Sequence, residues 1–266
     1  MATPSEELHH TRHVRREDAG AVTTLTLDFP EKFNPLSAAV LAELQAALDA
    51  IAADDGIQVV IIAAEGRAFC AGHDLKELRA NDRAANAELF DACSRMMLSV
   101  NRLPQPVIAA VQGVATAAGC QLVAACDLAV AAEEARFAVS GINLGLFCAT
   151  PSVALSRNIP RKRAMEMLLT GEFIDAATAL DWGLVNRVVP AGELAAAARS
   201  LAETVAAKPP VALRLGKDLF YRQLETDLAG AYKLAGEVMA CNMDTEDARG
   251  GIDAFFDKRK PEWQGR

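Results

Sequence analysis

Two kinds of hydrophobic pattern take turns along the chain. Residues 59–62, 106–111 and 128–131 are short, mostly apolar runs, the first bounded by Asp54, Asp55 and Gly56 on one side and Glu65-Gly66 on the other. Runs this short with no polar face predict strands covered on both sides. Residues 22–27 read Val-Thr-Thr-Leu-Thr-Leu, which predicts a strand with a solvated Thr face. Between these runs the spacing becomes helical. Ser37 predicts an N-cap ahead of Val40, Leu41, Leu44, Ala47, Leu48 and Ile51, which recur at the interval of one helix face. A charged helix is expected from about Ala84 to Arg102. Strands alternating with helices give an α/β core.

From Arg161 onward the pattern is helical, over residues 164–169, 176–181, 193–206 and 211 to about 239, with 185–189 as a brief extended piece. Pro209-Pro210 breaks this series, so the expected division is an α/β core over residues 1–208 and a helical part over 209–266. The composition, 266 residues with 52% hydrophobic and 23% charged, suits one large buried core.

Charge narrows the function classes. A net charge of -8 and a pI near 5.1 count against a nucleic-acid surface, which needs a basic footprint. No apolar stretch approaches the roughly 20 residues a bilayer requires. The first twenty residues are polar and lack an apolar signal core, so a cytoplasmic protein with no membrane partner is expected. The six cysteines have no CxxC pairing and read as reduced thiols filling the core. His9, His10 and His13 crowd into what reads as a solvated tail, leaving His73 alone in the body. No histidine-based metal site is expected from that distribution.

Two segments join a buried strand to a run of small residues. One is Phe69-Cys70-Ala71-Gly72-His73-Asp74-Leu75-Lys76; the other is Gly113-Val114-Ala115-Thr116-Ala117-Ala118-Gly119-Cys120-Gln121. Small residues allow close approach to the backbone, and a helix starting near Ala118 would turn free N–H groups outward. Two such groups from two loops can hold a developing oxyanion; tight packing at a strand–helix junction explains the same residues. Neither segment is a phosphate-binding loop, because both lack GxGxxG and a Gly-Lys-Ser/Thr ending.

The run Ala68-Phe69-Cys70-Ala71-Gly72-His73-Asp74-Leu75-Lys76-Glu77 resembles one signature of the crotonase (enoyl-CoA hydratase/isomerase) superfamily. Pro106 to Gly113 followed by Gly119-Cys120 resembles its second. Thr170-Gly171-Glu172, Gly183-Leu184-Val185, Val188-Val189-Pro190 and the segment from Gly251 to Pro261 match later landmarks in order. The similarity runs from about Val22 to Trp263. It implies a spiral of ββα units with C-terminal helices that bind neighbours, as a homotrimer or dimer of trimers. It also implies a ligand that is an acyl-CoA or enoyl-CoA thioester, with coenzyme A part of the substrate and no prosthetic group.

Carried over by position, the resemblance makes the N–H groups of His73 and Ala118 the oxyanion donors. It places Asp74, Leu75 and Lys76 along the CoA path, and Lys258 and Lys260 near nucleotide phosphates, those of a neighbouring subunit included; a solvated basic tail explains the two lysines equally well. The two carboxyls that hydrate 2-enoyl thioesters fall on Gln121 and Gly141, which have no proton to trade near neutral pH. Each well-placed acid or base is worth about 10²–10⁴-fold, so ordinary hydration is expected to be crippled. His73 is the best titratable substitute, beside a bland reading in which it caps a turn or contacts CoA. Asp74 reads as structural and Cys148 as a core thiol. Thr116, Gln121 and Asn143 are candidates for positioning water or a substrate amide. Two functions stay open: hydratase/isomerase-type or thioester-cleaving chemistry through enolate or oxyanion stabilisation, and non-catalytic acyl-CoA binding.

Overall fold

The computed structural model describes residues 12–266. Two sheets form the core. The larger has the order β1 (Val14–Ala19), β2 (Val22–Leu27), β3 (Val59–Ala64), β5 (Val107–Val111), β7 (Leu128–Ala132) and β10 (Arg187–Val189). The smaller has the order β4 (Ala68–Cys70), β6 (Val114–Thr116), β8 (Arg136–Ala138) and β9 (Ile174–Asp175). Pairing is parallel apart from the β1–β2 and β8–β9 edges. The chain lays down β3 then β4, β5 then β6, β7 then β8, one strand in each sheet per turn of a spiral. Successive turns stack closely enough to demand glycine: a Cβ on Gly113 would lie 2.1 Å from the Arg67 carbonyl oxygen.

The interior between the sheets takes the apolar faces of α1 (Ala38–Ala52), α3 (Arg83–Arg102) and α4 (Ala118–Ala125), with α2 (Leu75–Ala80) on the way. Ser37 caps α1 as its position predicts, accepting from the Val40 N–H. The outer face of the larger sheet is covered by α8 (Leu194–Ala206), whose Leu194, Ala198 and Leu201 pack on Val22, Val59, Ile61 and Ile108. The expected wet Thr face is corrected: Thr26, on the Val22 face that α8 covers, is nearly fully buried, and Thr23, on the opposite face with Leu25 and Leu27, is fully buried. Thr23 meets its hydroxyl's needs by donating to Asp18 Oδ1 at 2.6 Å. His13 is also not part of a solvated tail. Its N–H donates to Glu43 Oε2 at 2.8 Å and its ring stacks on Phe29 at 4.2 Å. His9 and His10 lie outside the described residues.

After the smaller sheet the chain runs through α5 (Ala149–Asn158), α6 (Arg161–Thr170) and α7 (Ala176–Trp182). The long helix expected from residue 211 is two helices, α9 (Pro210–Gln223) and α10 (Leu228–Met243), followed by α11 (Glu246–Phe256). Asp227 makes the break by capping α10, accepting from the Gly230 N–H at 2.7 Å. Among the described residues, no helix is long and apolar enough to cross a membrane.

Candidate active site

The two small-residue segments come together where β4 and β6 end side by side. After β4, the N–H of Ala71 is taken by the Phe33 carbonyl and that of Gly72 by Cys70 Sγ. The next N–H, of His73, meets no acceptor among the described residues. After β6, the Ala117 N–H bonds to the Ala138 carbonyl, and that of Ala118, the first residue of α4, is likewise unpartnered. Gly72 ties the pair into one place. A Cβ there would sit 2.9 Å from Ala117 Cβ and 3.3 Å from Ala118 N, and its φ of +89° is open to glycine.

Ala117 holds φ 51°, ψ -119°, a conformation that costs a residue with a Cβ on the order of 1–3 kcal/mol. The strain turns the chain sharply from β6 into α4, so the first free N–H groups of the helix open at the end of the strand. Gly119 makes the opposite contribution. Its Cβ would meet the Cys70 carbonyl oxygen at 2.2 Å, so that glycine is present for packing of α4 on β4.

The His73 side chain is more defined than its sequence position predicts. Nδ1 lies 2.9 Å from the Leu36 carbonyl oxygen, which can only accept, so Nδ1 carries the proton. Nε2 is left buried without a partner, and the ring meets Phe90 edge-on at 5.4 Å. Burial is the main influence and lowers the imidazole pKa, against smaller upward pulls from Leu36 and Glu77. Asp74 is structural, as expected. Its Oδ1 accepts from the N–H groups of Lys76 at 2.8 Å and Glu77 at 3.4 Å and so caps α2. Leu75 and Lys76 are exposed on the first turn of α2, and Lys76 enters no ion pair among the described residues. Lys258 and Lys260 follow α11, exposed on the C-terminal part.

Gln121 lies one turn into α4, 4% exposed, with Oε1 sealed and unpartnered. Gly141 leaves no room for any side chain: a Cβ would stand 2.7 Å from the Leu146 carbonyl oxygen and 2.8 Å from Cys148 Sγ. Its own carbonyl accepts from the Leu146 N–H at 2.9 Å, closing the segment on itself. Cys148 is a buried thiol with a raised pKa, burial being the main cause. Burial pushes Cys120 and Cys70 up to about 12. None of these thiols has the thiolate character of a nucleophile. Thr116 Oγ1 lies 2.9 Å from Ser140 Oγ, a hydroxyl pair that sequence reading caught only in its Thr116 half. Asn143 Nδ2 reaches the Gly171 carbonyl at 3.4 Å, which gives it a structural task.

Comparison with known proteins gives the family. The family model described as Enoyl-CoA hydratase/isomerase matches residues 17–266. The mouse protein named "Enoyl-CoA hydratase domain-containing protein 3, mitochondrial" is 45% identical over 260 residues, 97% of this chain and 86% of its own length. A crystal structure of an enoyl-CoA hydratase from Mycobacterium smegmatis superposes with a TM-score of 0.93 at 54% identity, covering 95% of this chain and 99% of that one. The crystal structure of human enoyl Coenzyme A hydratase domain-containing protein 3 gives a TM-score of 0.90 at 45% identity over 95% of this chain and all of the other. With two sheets wound as a spiral, a closing set of C-terminal helices and a match along nearly its whole length, this chain belongs to the enoyl-CoA hydratase/isomerase, or crotonase, family.

Proposed function

We propose that the chain binds an acyl-CoA thioester with its carbonyl oxygen between the N–H groups of His73 and Ala118, and acts on it by stabilising negative charge there. The observation that supports this reading is the close approach of Gly72, the residue before His73, to Ala117 and Ala118, together with the absence of an acceptor for the His73 and Ala118 N–H groups among the described residues. Preorganised donors of this kind favour an enolate or a tetrahedral oxyanion without reorganisation during the reaction. Asp74 and Leu75 shape the approach, and Lys76 offers a flexible cation to CoA phosphates. Lys258 and Lys260 serve the nucleotide phosphates of a neighbouring subunit, in a trimer or dimer of trimers built through residues 209–266. Cytoplasmic residence stays part of this reading, although relatives are named mitochondrial.

The chemistry that fits is of enoyl-CoA hydratase/isomerase type, with ordinary hydration impaired. Gln121 and Gly141 stand at the positions assigned to the two carboxyls, one a neutral amide and the other without space for a side chain. That same sealing of Gly141 favours a second reading, an acyl-CoA-binding protein without turnover.

Mass-spectrometric screening of 2-enoyl-, 3-hydroxyacyl- and saturated acyl-CoAs separates the two readings. Product from at least one of them, falling about 10²–10³-fold in Ala118→Pro, supports the enzyme, because proline removes the N–H outright. Micromolar binding with no product from any thioester supports the binder. If no CoA thioester binds the wild-type protein, both readings fall.

A further inference from the structure

Two faces of the chain are apolar and open to solvent. One is C-terminal, where Leu228, Tyr232 and Met239 of α10 and Phe255 and Phe256 of α11 are exposed. The other lies beside the candidate site. Gly171, just past α6, sits against Ile142 and Asn143: an added Cβ would fall 2.7 Å and 2.8 Å from their side chains. That approach holds α6 against the segment 140–148, and α5 packs on α6. Leu144, Leu146 and Phe147 of the segment, Val153 of α5, and Met165 and Leu169 of α6 are 47 to 61% exposed. Met165 and Leu169 are one turn apart on α6, and Arg161 continues the same side by a further turn. Clusters of this kind mark surfaces that another molecule covers.

The two faces differ in charge. Residues 144–173 carry Arg157, Arg161, Lys162 and Arg163 against Glu166 and Glu172, in a chain of net charge -8. Arg157 pairs with Glu225 at 3.4 Å and Arg163 with Glu166 at 3.1 Å; Arg161 and Lys162 enter no ion pair among the described residues. From Leu228 to Asp257 the exposed carboxylates are Glu237, Asp244, Glu246, Asp253 and Asp257, against Lys233 and Arg249. Asp244, Glu246 and Asp257 pair within the chain, whereas Glu237 and Asp253 enter no ion pair among the described residues.

We infer that the α5–α6 face of one copy receives the α10–α11 face of the next, a head-to-tail contact between two copies of this chain that covers the candidate active site. It rests on the reading of the chain as an oligomer built through residues 209–266. A second copy supplies apolar groups and unpaired carboxylates together, which is what the basic face lacks. Two C-terminal faces meeting each other would instead set like charges opposite. An anionic lipid surface would attract the basic residues but repel the rest of an acidic chain. Head-to-tail contacts that close give a ring, and every copy in it uses both faces. The contact bears on the site because the segment 140–148 has two sides. Ser140 Oγ lies 2.9 Å from Thr116 Oγ1, two residues ahead of Ala118, while Leu144, Leu146 and Phe147 face outward. A neighbour's helices resting on those three residues fix the segment and exclude water from that side of the site.

Mixing two variants of the whole chain tests the contact. Tyr232→Asp with Phe255→Asp breaks the C-terminal face; Met165→Asp with Leu169→Asp breaks the α6 face. Each alone should be a monomer by light scattering. An equimolar mixture restores one junction only, between the intact α6 face of the first variant and the intact C-terminal face of the second. It should return twice the 28.3 kDa chain and no larger species. If the α6 variant fails to fold by circular dichroism, Arg161→Glu with Lys162→Glu takes its place in the mixture. A mixture that stays monomeric while the wild type assembles overturns the inference and leaves the proposed function standing. So does an α6 variant with the wild-type mass. Cosedimentation of the wild-type oligomer with phosphatidylglycerol vesicles, lost on breaking the α6 face, would mean that lipid is the occupant and overturns it too. A monomeric wild type is the separate result that defeats the assembly itself.

Discussion

His73 concentrates several roles in one residue: a backbone N–H at the candidate oxyanion position, a ring proton committed to the Leu36 carbonyl, and a sealed lone pair on Nε2. Burial holds the imidazole neutral by lowering its pKa from the ordinary 6.5. The unfolded chain protonates this histidine as pH falls through that ordinary value, while the folded chain does so only at lower pH. The unfolded state then binds more protons, so stability falls as pH drops below about 6.5 and is fully present above it. Thermal melts from pH 8 to 5.5 should record a loss of Tm on the acid side that is smaller in His73→Asn. An equal acid-side loss in the variant would mean the imidazole is protonated freely in the folded protein. The same neutrality argues against His73 as a cationic acid, the substitute role its isolation in the sequence invites.

The element that sequence reading placed least well is the C-terminal helix pair, and its attachment explains why. Neither α9 nor α10 contributes a buried residue, so no periodic core stripe marks their limits or their partner. A polar cluster ties α9 to the core instead. Lys217 Nζ lies 2.6 Å from Asp127 Oδ2 and donates to the carbonyls of Val100 and Gln105 at 3.0 Å each. Tyr221 donates to Asp127 Oδ1 at 2.8 Å, and the Val107 N–H donates to Oδ2 at 2.7 Å. All three ammonium protons are satisfied within this cluster, which fits a fastening rather than a catalytic lysine. Lys217→Met leaves the largely buried Asp127 carboxylate without its counter-charge, held only by Tyr221 and the Val107 N–H, and should cost about 3–5 kcal/mol in urea denaturation, with faster amide exchange across α9. Adding Asp127→Asn should recover part of that loss; no recovery would mean the charges are not the fastening. Long-range contacts such as Lys217 with Asp127 leave no trace in local pattern. The short strands β4, β6, β8 and β9 were equally illegible, because two or three residues are too few to establish a period. By contrast the buried runs that became β3, β5 and β7, the cap at Ser37 and the start of α4 at Ala118 were legible, each being fixed by neighbours in sequence. In the site, the motifs pointed to the loops of His73 and Ala118, but the sealed Gly141 and the Ser140 hydroxyl depend on how residues 140–148 fold back.

At the scale of the whole molecule the apolar surface is unevenly distributed. Phe220 is 58% exposed, Leu228 and Tyr232 74%, Phe255 80% and Phe256 75%, all on α9, α10 and α11. Beside them a cavity of about 390 Å³ opens between these helices, lined by Pro209, Met243, Ile252, Phe255 and Trp263. The tail beyond α11 is held in place, with Asp247 accepting from the N–H groups of Gln264 and Gly265 and Trp263 donating to the Ala207 carbonyl. A rigid apolar face of this extent on a chain of net charge -8 is the kind of surface a protein buries against another. The trimer proposed above uses it, and light scattering at micromolar concentration should return a multiple of three times the 28.3 kDa chain. Replacing Tyr232 and Phe255 by Asp should give a monomer with an unchanged core by circular dichroism; a wild-type monomer would defeat the assembly. The assembly also bears on ligand binding, since Lys258 and Lys260 lie on this same C-terminal part. If they reach the nucleotide phosphates of a neighbour, the dissociated variant should bind free CoA more weakly and with less salt dependence than the wild type. Lys258→Glu with Lys260→Glu should reproduce that weakening while the oligomer stays intact.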